Sequence, residues 1–234
     1  MFLRAEVFQD RRDAGRVLGH AILASAVWRG GQDGIVLGLP RGGVPVAYEV
    51  ALALHLPLDI VVVRKLGVPG FAELAMGAVA ADGALALNAA IIHEFRIPED
   101  VIDAAVEQER QEVERRERAY RNGRSAEQTE GRLAILVDDG LATGASMLAA
   151  VRAVRPRARE VMVAVPVAAQ SACNDFRHEV DHVICARMPW PFYSVGSFYR
   201  NFEQTPDAEV CSLLSKARDD REKPTGVLNE MVKS

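Results

Sequence analysis

The chain has 234 residues, of which 49% are hydrophobic and 26% charged, and its formal net charge is −4. That length allows a sizeable core without staples, and the acidic balance excludes a broad nucleic-acid-binding face. No apolar run reaches the roughly 18 residues of a membrane span, and no basic stretch leads into an N-terminal apolar run, so neither a membrane anchor nor a signal peptide is expected.

The stretch "VFQDRRDAGRVLGHAILASAV" reads as an amphipathic opening helix, with Asp10 as N-cap and Asp13 near its positive end. "GIVLGL" (34–39) is a short buried strand, followed by the loop "PRGG" and the helix "VPVAYEVALALHL". "LDIVVV" (58–63) is a second buried strand. "RKLGVPGFAE" reads as a loop broken by Gly67, Pro69 and Gly70. "LAMGAVAADGALALN" reads as a hairpin turning at Asp82-Gly83. A strong helix follows over 99–121, with Pro98 at its start and Glu112/Arg116 and Glu114/Arg118 one turn apart. Three more strands are predicted in "RLAILVD" (132–138), "EVMVAVPV" and "VDHVICAR", with a helix after the first and a short one near 168–176. Strands alternating with helices predict an α/β fold with a doubly wound, mainly parallel sheet. "MPWPFYSVGSFYRNF" breaks that rhythm with six aromatics, and residues 220–234 are expected to fray. Cys173, Cys185 and Cys211 are odd in number and widely spaced, which suits free thiols in a reducing cytoplasm.

The chemistry concentrates in "ILVDDGLATGAS", residues 135–146. In doubly wound sheets ligands bind at the carboxyl ends of strands, where Asp138 and Asp139 fall. The next helix begins near Ser146, and its N-terminus offers free N–H groups to an anion. Gly140, Ala142, Gly144 and Ala145 let a phosphate approach the backbone, and Thr143 and Ser146 add hydroxyl donors. Two carboxylates beside a phosphate make sense if they accept from a vicinal diol. A ribose 5-phosphate unit carries both features.

This stretch resembles the phosphoribosyl-diphosphate (PRPP) motif of type I phosphoribosyltransferases: apolar residues, two acids, a spacer, then T-G-x-[ST]. The resemblance extends to "GLPRGGVPVAYEV" and "RKLGVPGFAELAMGAVA" and covers roughly residues 5–215, where the chain is similar to a bacterial group without an assigned acceptor. It implies a single domain over 1–234, with a lid loop, hairpin and charged helix inserted at 66–124 and a hood at 187–204. It implies pentosyl transfer from PRPP to a nitrogenous acceptor, such as a purine or pyrimidine base, with release of diphosphate and Mg²⁺ as cofactor.

By the same resemblance Asp138 and Asp139 hold the ribose hydroxyls, with Mg²⁺ nearby on PRPP oxygens and water. Residues 142–146 hold the 5-phosphate. Arg41, Gly42 and Gly43, in a loop that often carries a non-proline cis peptide, grip the diphosphate together with Arg64 and Lys65. Glu73 handles the acceptor's proton. Phe192, Tyr193, Phe198 and Tyr199 of the hood offer rings for a planar acceptor. Ala142 stands where hypoxanthine-type enzymes place an Asp, so a base from this loop is absent. Family members often dimerise, so a second copy is an expected partner. Two other readings stay open: a non-catalytic PRPP- or nucleotide-binding regulator, and a phosphorolytic enzyme acting on nucleosides or nucleotides. "HEVDH" (178–182) spells the zinc-protease pattern, but it leads into a strand, without the helix that pattern needs.

Overall fold

The computed structural model describes residues 7–80 and 84–222, without the side chains of residues 72, 73 and 222. In chain order the elements are α1 (Arg11–Leu23), β1 (Gly34–Gly38), α2 (Gly43–Leu54), β2 (Leu58–Ile60), β3 (Val63–Val68), β4 (Phe71–Ala80) and β5 (Leu85–Leu87). They continue with α3 (Ala89–Glu94), α4 (Glu99–Tyr120), β6 (Leu133–Val137), α5 (Ala145–Val154), β7 (Glu160–Val167), α6 (Gln170–Phe176) and β8 (His182–Arg187). A 3₁₀ turn at Val195–Phe198 and α7 (Asp207–Glu222) complete the chain.

The main sheet has the order β2-β1-β6-β7-β8, and every pairing in it is parallel. β1 and β6 are buried at every position, as parallel strands covered on both faces must be. Alternation divides their side chains between two layers. Val36, Leu133, Ile135 and Val137 pack under α1, α2 and α7, while Ile35, Leu37, Ala134 and Leu136 pack against α5 and α6. Asp10 caps α1 by accepting from the Asp13 amide at 2.8 Å. On α4, Arg116 and Arg118 lie 2.7 Å and 3.6 Å from Glu112 and Glu114, and α4 buries Val113 and Tyr120.

The strand order reverses at β1, which has β2 on one side and β6 on the other. At such a switch point ligands bind outside the carboxyl ends of the strands. Gly38 and Val137 are register partners at the carboxyl ends of β1 and β6. The loops 39–43 and 138–144 therefore emerge side by side.

Several elements depart from the sequence reading. The segment 64–73 is mostly strand: β3, β4 and β5 form a separate antiparallel sheet. Gly67 sits at a register slip, and Gly70, at φ +80°, makes the turn between β3 and β4. The glycines that read as loop thus serve a bulge and a tight turn. The β4–β5 hairpin is present, while its Asp82-Gly83 turn lies outside the described residues. Asp220–Glu222 belong to α7, and the rest of the C-terminal segment expected to fray also lies outside them. Cys173 on α6 and Cys185 on β8 are joined as a disulfide, and Cys211 is free. Spacing of 12 residues in sequence gave no sign of that neighbourhood. Among the described residues no helix is long and apolar enough to cross a membrane.

Candidate functional site

A crevice of about 610 Å³ lies at the carboxyl end of β6. It is lined by Asp138, Gly140, the run 141–147 and Val195, together with Lys65, Ala78 and Asn88 from β3, β4 and the start of α3. Asp138 Oδ1 accepts from the Asp139 amide at 2.8 Å, which fixes the carboxylate beside its own loop. Burial first, and the neighbouring Asp139 charge second, push the Asp138 carboxyl well above the usual range. Burial also raises Asp139, and Arg11 opposes that rise.

The loop after Asp139 is shaped by close approaches. Leu141 N–H donates to Val167 O at 2.9 Å, and Ala169 N–H returns to Leu141 O at 3.0 Å. Gly144 precedes α5 at φ +76°, and no side chain caps the helix start. The first-turn amides of α5 and the hydroxyls of Thr143 and Ser146 therefore border the crevice, and an anion there meets the positive end of the helix.

The loop after β1 lies flush against the acids. The Pro40–Arg41 peptide is cis, in the place the resemblance implied. A Cβ on Gly43 would lie 2.6 Å from Val137 O and 2.9 Å from Asp138 Cα. A Cβ on Gly42 would lie 2.1 Å from Asp139 Oδ2. At Gly43 the contact is backbone against backbone, which only glycine permits, whereas at Gly42 the neighbour is the Asp139 side chain.

The expected residues do not all meet in the crevice. Arg64 and Lys65 are neighbours in β3, so their side chains leave opposite faces. Lys65 lines the crevice, whereas Arg64 donates to Glu109 on α4 at 2.7 Å. Arg41 Nη1 lies 3.6 Å from Asp207 Oδ1 at the start of α7, and Tyr120 also donates to that oxygen at 2.8 Å. Asp139 turns to Arg11, whose Nε is 2.9 Å away, and not to the crevice. Glu73 belongs to β4, and its side chain lies outside the described residues. Phe198 and Tyr199 are buried in a small core with Phe8, and Phe192 stacks on Phe198 at 5.4 Å. Tyr193 is 83% exposed. His182 of the "HEVDH" stretch pairs with Glu160 at 3.0 Å.

Arg11 is the residue that sequence reading missed. It lies 128 residues from Asp139 in the chain, and on α1 it reads as one of several solvated charges. Only its place in the first turn, level with the N-cap, hinted that it overlooks a neighbouring element.

A family model described as "Phosphoribosyl transferase domain" matches residues 19–194. Two Mycobacterium tuberculosis proteins, named "Putative phosphoribosyl transferase MT0597" (strain CDC 1551) and "Putative phosphoribosyl transferase Rv0571c" (strain H37Rv), are each 43% identical over 216 residues. The match covers 92% of this chain and 48% of each relative, so the chain spans about half the length of the curated relatives it matches. The crystal structure of TT1426 from Thermus thermophilus is similar at 39% identity and a TM-score of 0.76, covering 90% of this chain and 98% of that one. With the parallel sheet, the crevice at its switch point and the matching motif in hand, the chain belongs to the type I phosphoribosyltransferase family.

Proposed function

We propose that the chain binds PRPP and transfers its phosphoribosyl group to a nitrogenous acceptor, such as a purine or pyrimidine base, releasing diphosphate. The observation that carries this reading is the placement of Asp138 and the uncapped start of α5 on one crevice. A sugar diol reaches the carboxylate while its 5-phosphate reaches the amides and hydroxyls of residues 142–146.

The acceptor nitrogen attacks C1 of the ribose from the face opposite the leaving group. The N–C1 bond forms, the C1–O bond to diphosphate breaks, and the bond's electron pair leaves on the diphosphate oxygen. Positive charge develops on the sugar and negative charge on the departing group, so fixed positive groups near the latter lower the barrier. Lys65 supplies one from the crevice wall, and the resemblance assigns the grip on the diphosphate to the loop of residues 41–43. Arg41 joins them by exchanging its 3.6 Å contact with Asp207 for a phosphate oxygen. Arg64 acts at one remove, through its pair with Glu109. The resemblance assigns the proton that the acceptor nitrogen loses to Glu73, whose side chain lies outside the described residues. Of the hood rings, exposed Tyr193 and half-buried Phe192 remain as surfaces for the acceptor, while Phe198 and Tyr199 support them from the small core.

Mg²⁺ fits the donor set as a companion of the substrate. Among the described residues no group of three or more His, Cys, Asp or Glu side chains converges on a point. The crevice offers one facing carboxylate, Asp138, so most oxygens around the ion come from phosphate and water, as Mg²⁺ prefers. When bound, it supplies positive charge to the leaving diphosphate.

The test is diphosphate release from PRPP with Mg²⁺ and a panel of purine and pyrimidine bases, beside calorimetric titration with PRPP alone. Binding with base-dependent release supports the reading. Binding without release under any base moves the protein to the non-catalytic class, and absence of PRPP binding overturns the assignment.

A further inference from the structure

The N-terminal strand-like segment and the hood are fastened to one another. Phe8 N–H donates to Phe198 O at 2.9 Å, Arg200 N–H to Phe8 O at 2.8 Å, and Asn201 N–H to Gln9 O at 2.9 Å. The next contact in this series comes from a side chain: Arg11 Nη1 donates to Glu203 O at 2.6 Å. The same guanidinium lies 4.1 Å over the Phe202 ring and donates from Nε to Asp139 Oδ2 at 2.9 Å. Tyr199, also in the hood, donates its hydroxyl to Asp139 O. The second acid of the motif is thus gripped by both its carboxylate and its carbonyl.

The pair sits directly under the loop after β1. A Cβ on Gly42 would strike Asp139 Oδ2 at 2.1 Å and Arg11 Nε at 3.1 Å. Three parts of the site therefore meet at one ion pair: the Pro40–Gly43 loop, the tip of β6 and the hood. The Arg11 side chain is only 12% exposed and that of Asp139 15%, so solvent screens the pair weakly.

We propose that Arg11 is a positioning residue which, through Asp139, locks the hood and the Pro40–Gly43 loop in register around the crevice. The two acids then divide the work. Asp138 faces the sugar, and Asp139 serves as the post to which the hood is tied. A planar guanidinium suits this task because its donors are spread along a rigid fork that reaches two separated acceptors while its face lies on the ring, whereas an ammonium's three donors sit at one point. The use of that register for phosphoribosyl transfer rests on the function proposed above, whereas the tie itself does not.

The test compares the wild type with Arg11→Lys, Arg11→Gln, Asp139→Asn and the Arg11→Gln/Asp139→Asn double variant by two readouts. One is amide hydrogen exchange at Arg200 and Asn201, which needs no ligand; the other is PRPP affinity by calorimetry. Arg11→Gln and Asp139→Asn are each expected to speed exchange at both amides by roughly tenfold, and the double variant by no more than about twice the larger single effect, since coupled partners are not additive. Arg11→Lys restores the charge opposite Asp139 but not the reach to Glu203 O, so it falls between wild type and Arg11→Gln. PRPP affinity is expected to fall in the same order. Unchanged exchange at Arg200 and Asn201 in Asp139→Asn, or multiplied effects in the double variant, overturns the proposal. If the wild type fails to bind PRPP, the function falls and the exchange arm still decides the tie. If exchange shifts as expected but affinity does not, the tie stands without its role in the site, and the proposal is overturned.

Discussion

Gly43→Ala probes the contact between the loop after β1 and the tip of β6. The added methyl would lie 2.6 Å from Val137 O and 2.9 Å from Asp138 Cα, both backbone atoms, where ordinary contact begins at 3.4 Å. The shortfall to the carbonyl is about 0.8 Å, and no flexible side chain is available to absorb it. The loop must therefore lift from β6, which stretches the 2.9 Å hydrogen bond from Leu39 N–H to Val137 O. Overpacking of this kind costs about 1–3 kcal/mol, and a weakened hydrogen bond adds about 0.5–1.5 kcal/mol. Ala at the first position of α2 returns at most about 1 kcal/mol of helix propensity. The net loss is about 2 kcal/mol, or roughly 4–8 °C in Tm for a domain of this size. Urea unfolding should show a lower midpoint with an unchanged slope. A Tm equal to that of the wild type, with the loop unmoved in a crystal structure of the variant, would refute the argument that glycine is required here for close approach.

Asp138→Asn should stabilise the protein at pH 7 while weakening PRPP binding. Burial and the Asp139 charge raise the folded Asp138 carboxyl, so the stability it contributes is complete below the unfolded carboxylate range near about 3.9 and is lost as pH rises through the folded value. The amide removes that loss, so the Tm gain, measured without PRPP or Mg²⁺, should be present at pH 7 and vanish below about pH 4; a lower Tm at pH 7 contradicts it. Asp59→Ala should cost about 1–3 kcal/mol by urea unfolding, because Arg121 loses one of its two carboxylates while Glu117 stays at 2.7 Å, and the Glu127 amide loses its acceptor; an unchanged midpoint contradicts it. Tyr199→Phe leaves the Asp139 carbonyl without its hydroxyl donor and should lower Tm by roughly 2–8 °C, for about 1–2 kcal/mol.

What the sequence disclosed follows the range over which each signal acts. The apolar runs of β1, β6 and β7 and the Asp10 cap of α1 are local, and they form where they were expected. The Asp138-to-Ser146 motif was legible for the same reason: strand tip, small-residue loop and helix start are contiguous, so one stretch of chain builds half of the crevice. The hairpin β3–β4 was hidden because Gly67, Pro69 and Gly70 have the same composition whether they break a strand or turn it. The rings at 198 and 199 read as ligand surfaces because Phe8, which packs with both, comes from the other end of the chain. The disulfide between Cys173 and Cys185 was likewise decided by packing of α6 on β8.

One signal was present and local yet pointed further than its first use. Successive residues along a strand point to opposite faces, so adjacent like charges near a strand tip readily find different partners. Arg64 and Lys65 obey this, one turning to Glu109 and the other to the crevice. Asp138 and Asp139 obey it too, one facing the crevice and the other Arg11. In each pair the outward member is matched by an opposite charge supplied by a helix, α4 in one case and α1 in the other. Under the function proposed above the inward member of each pair meets the ligand, while the outward one is held by a protein side chain.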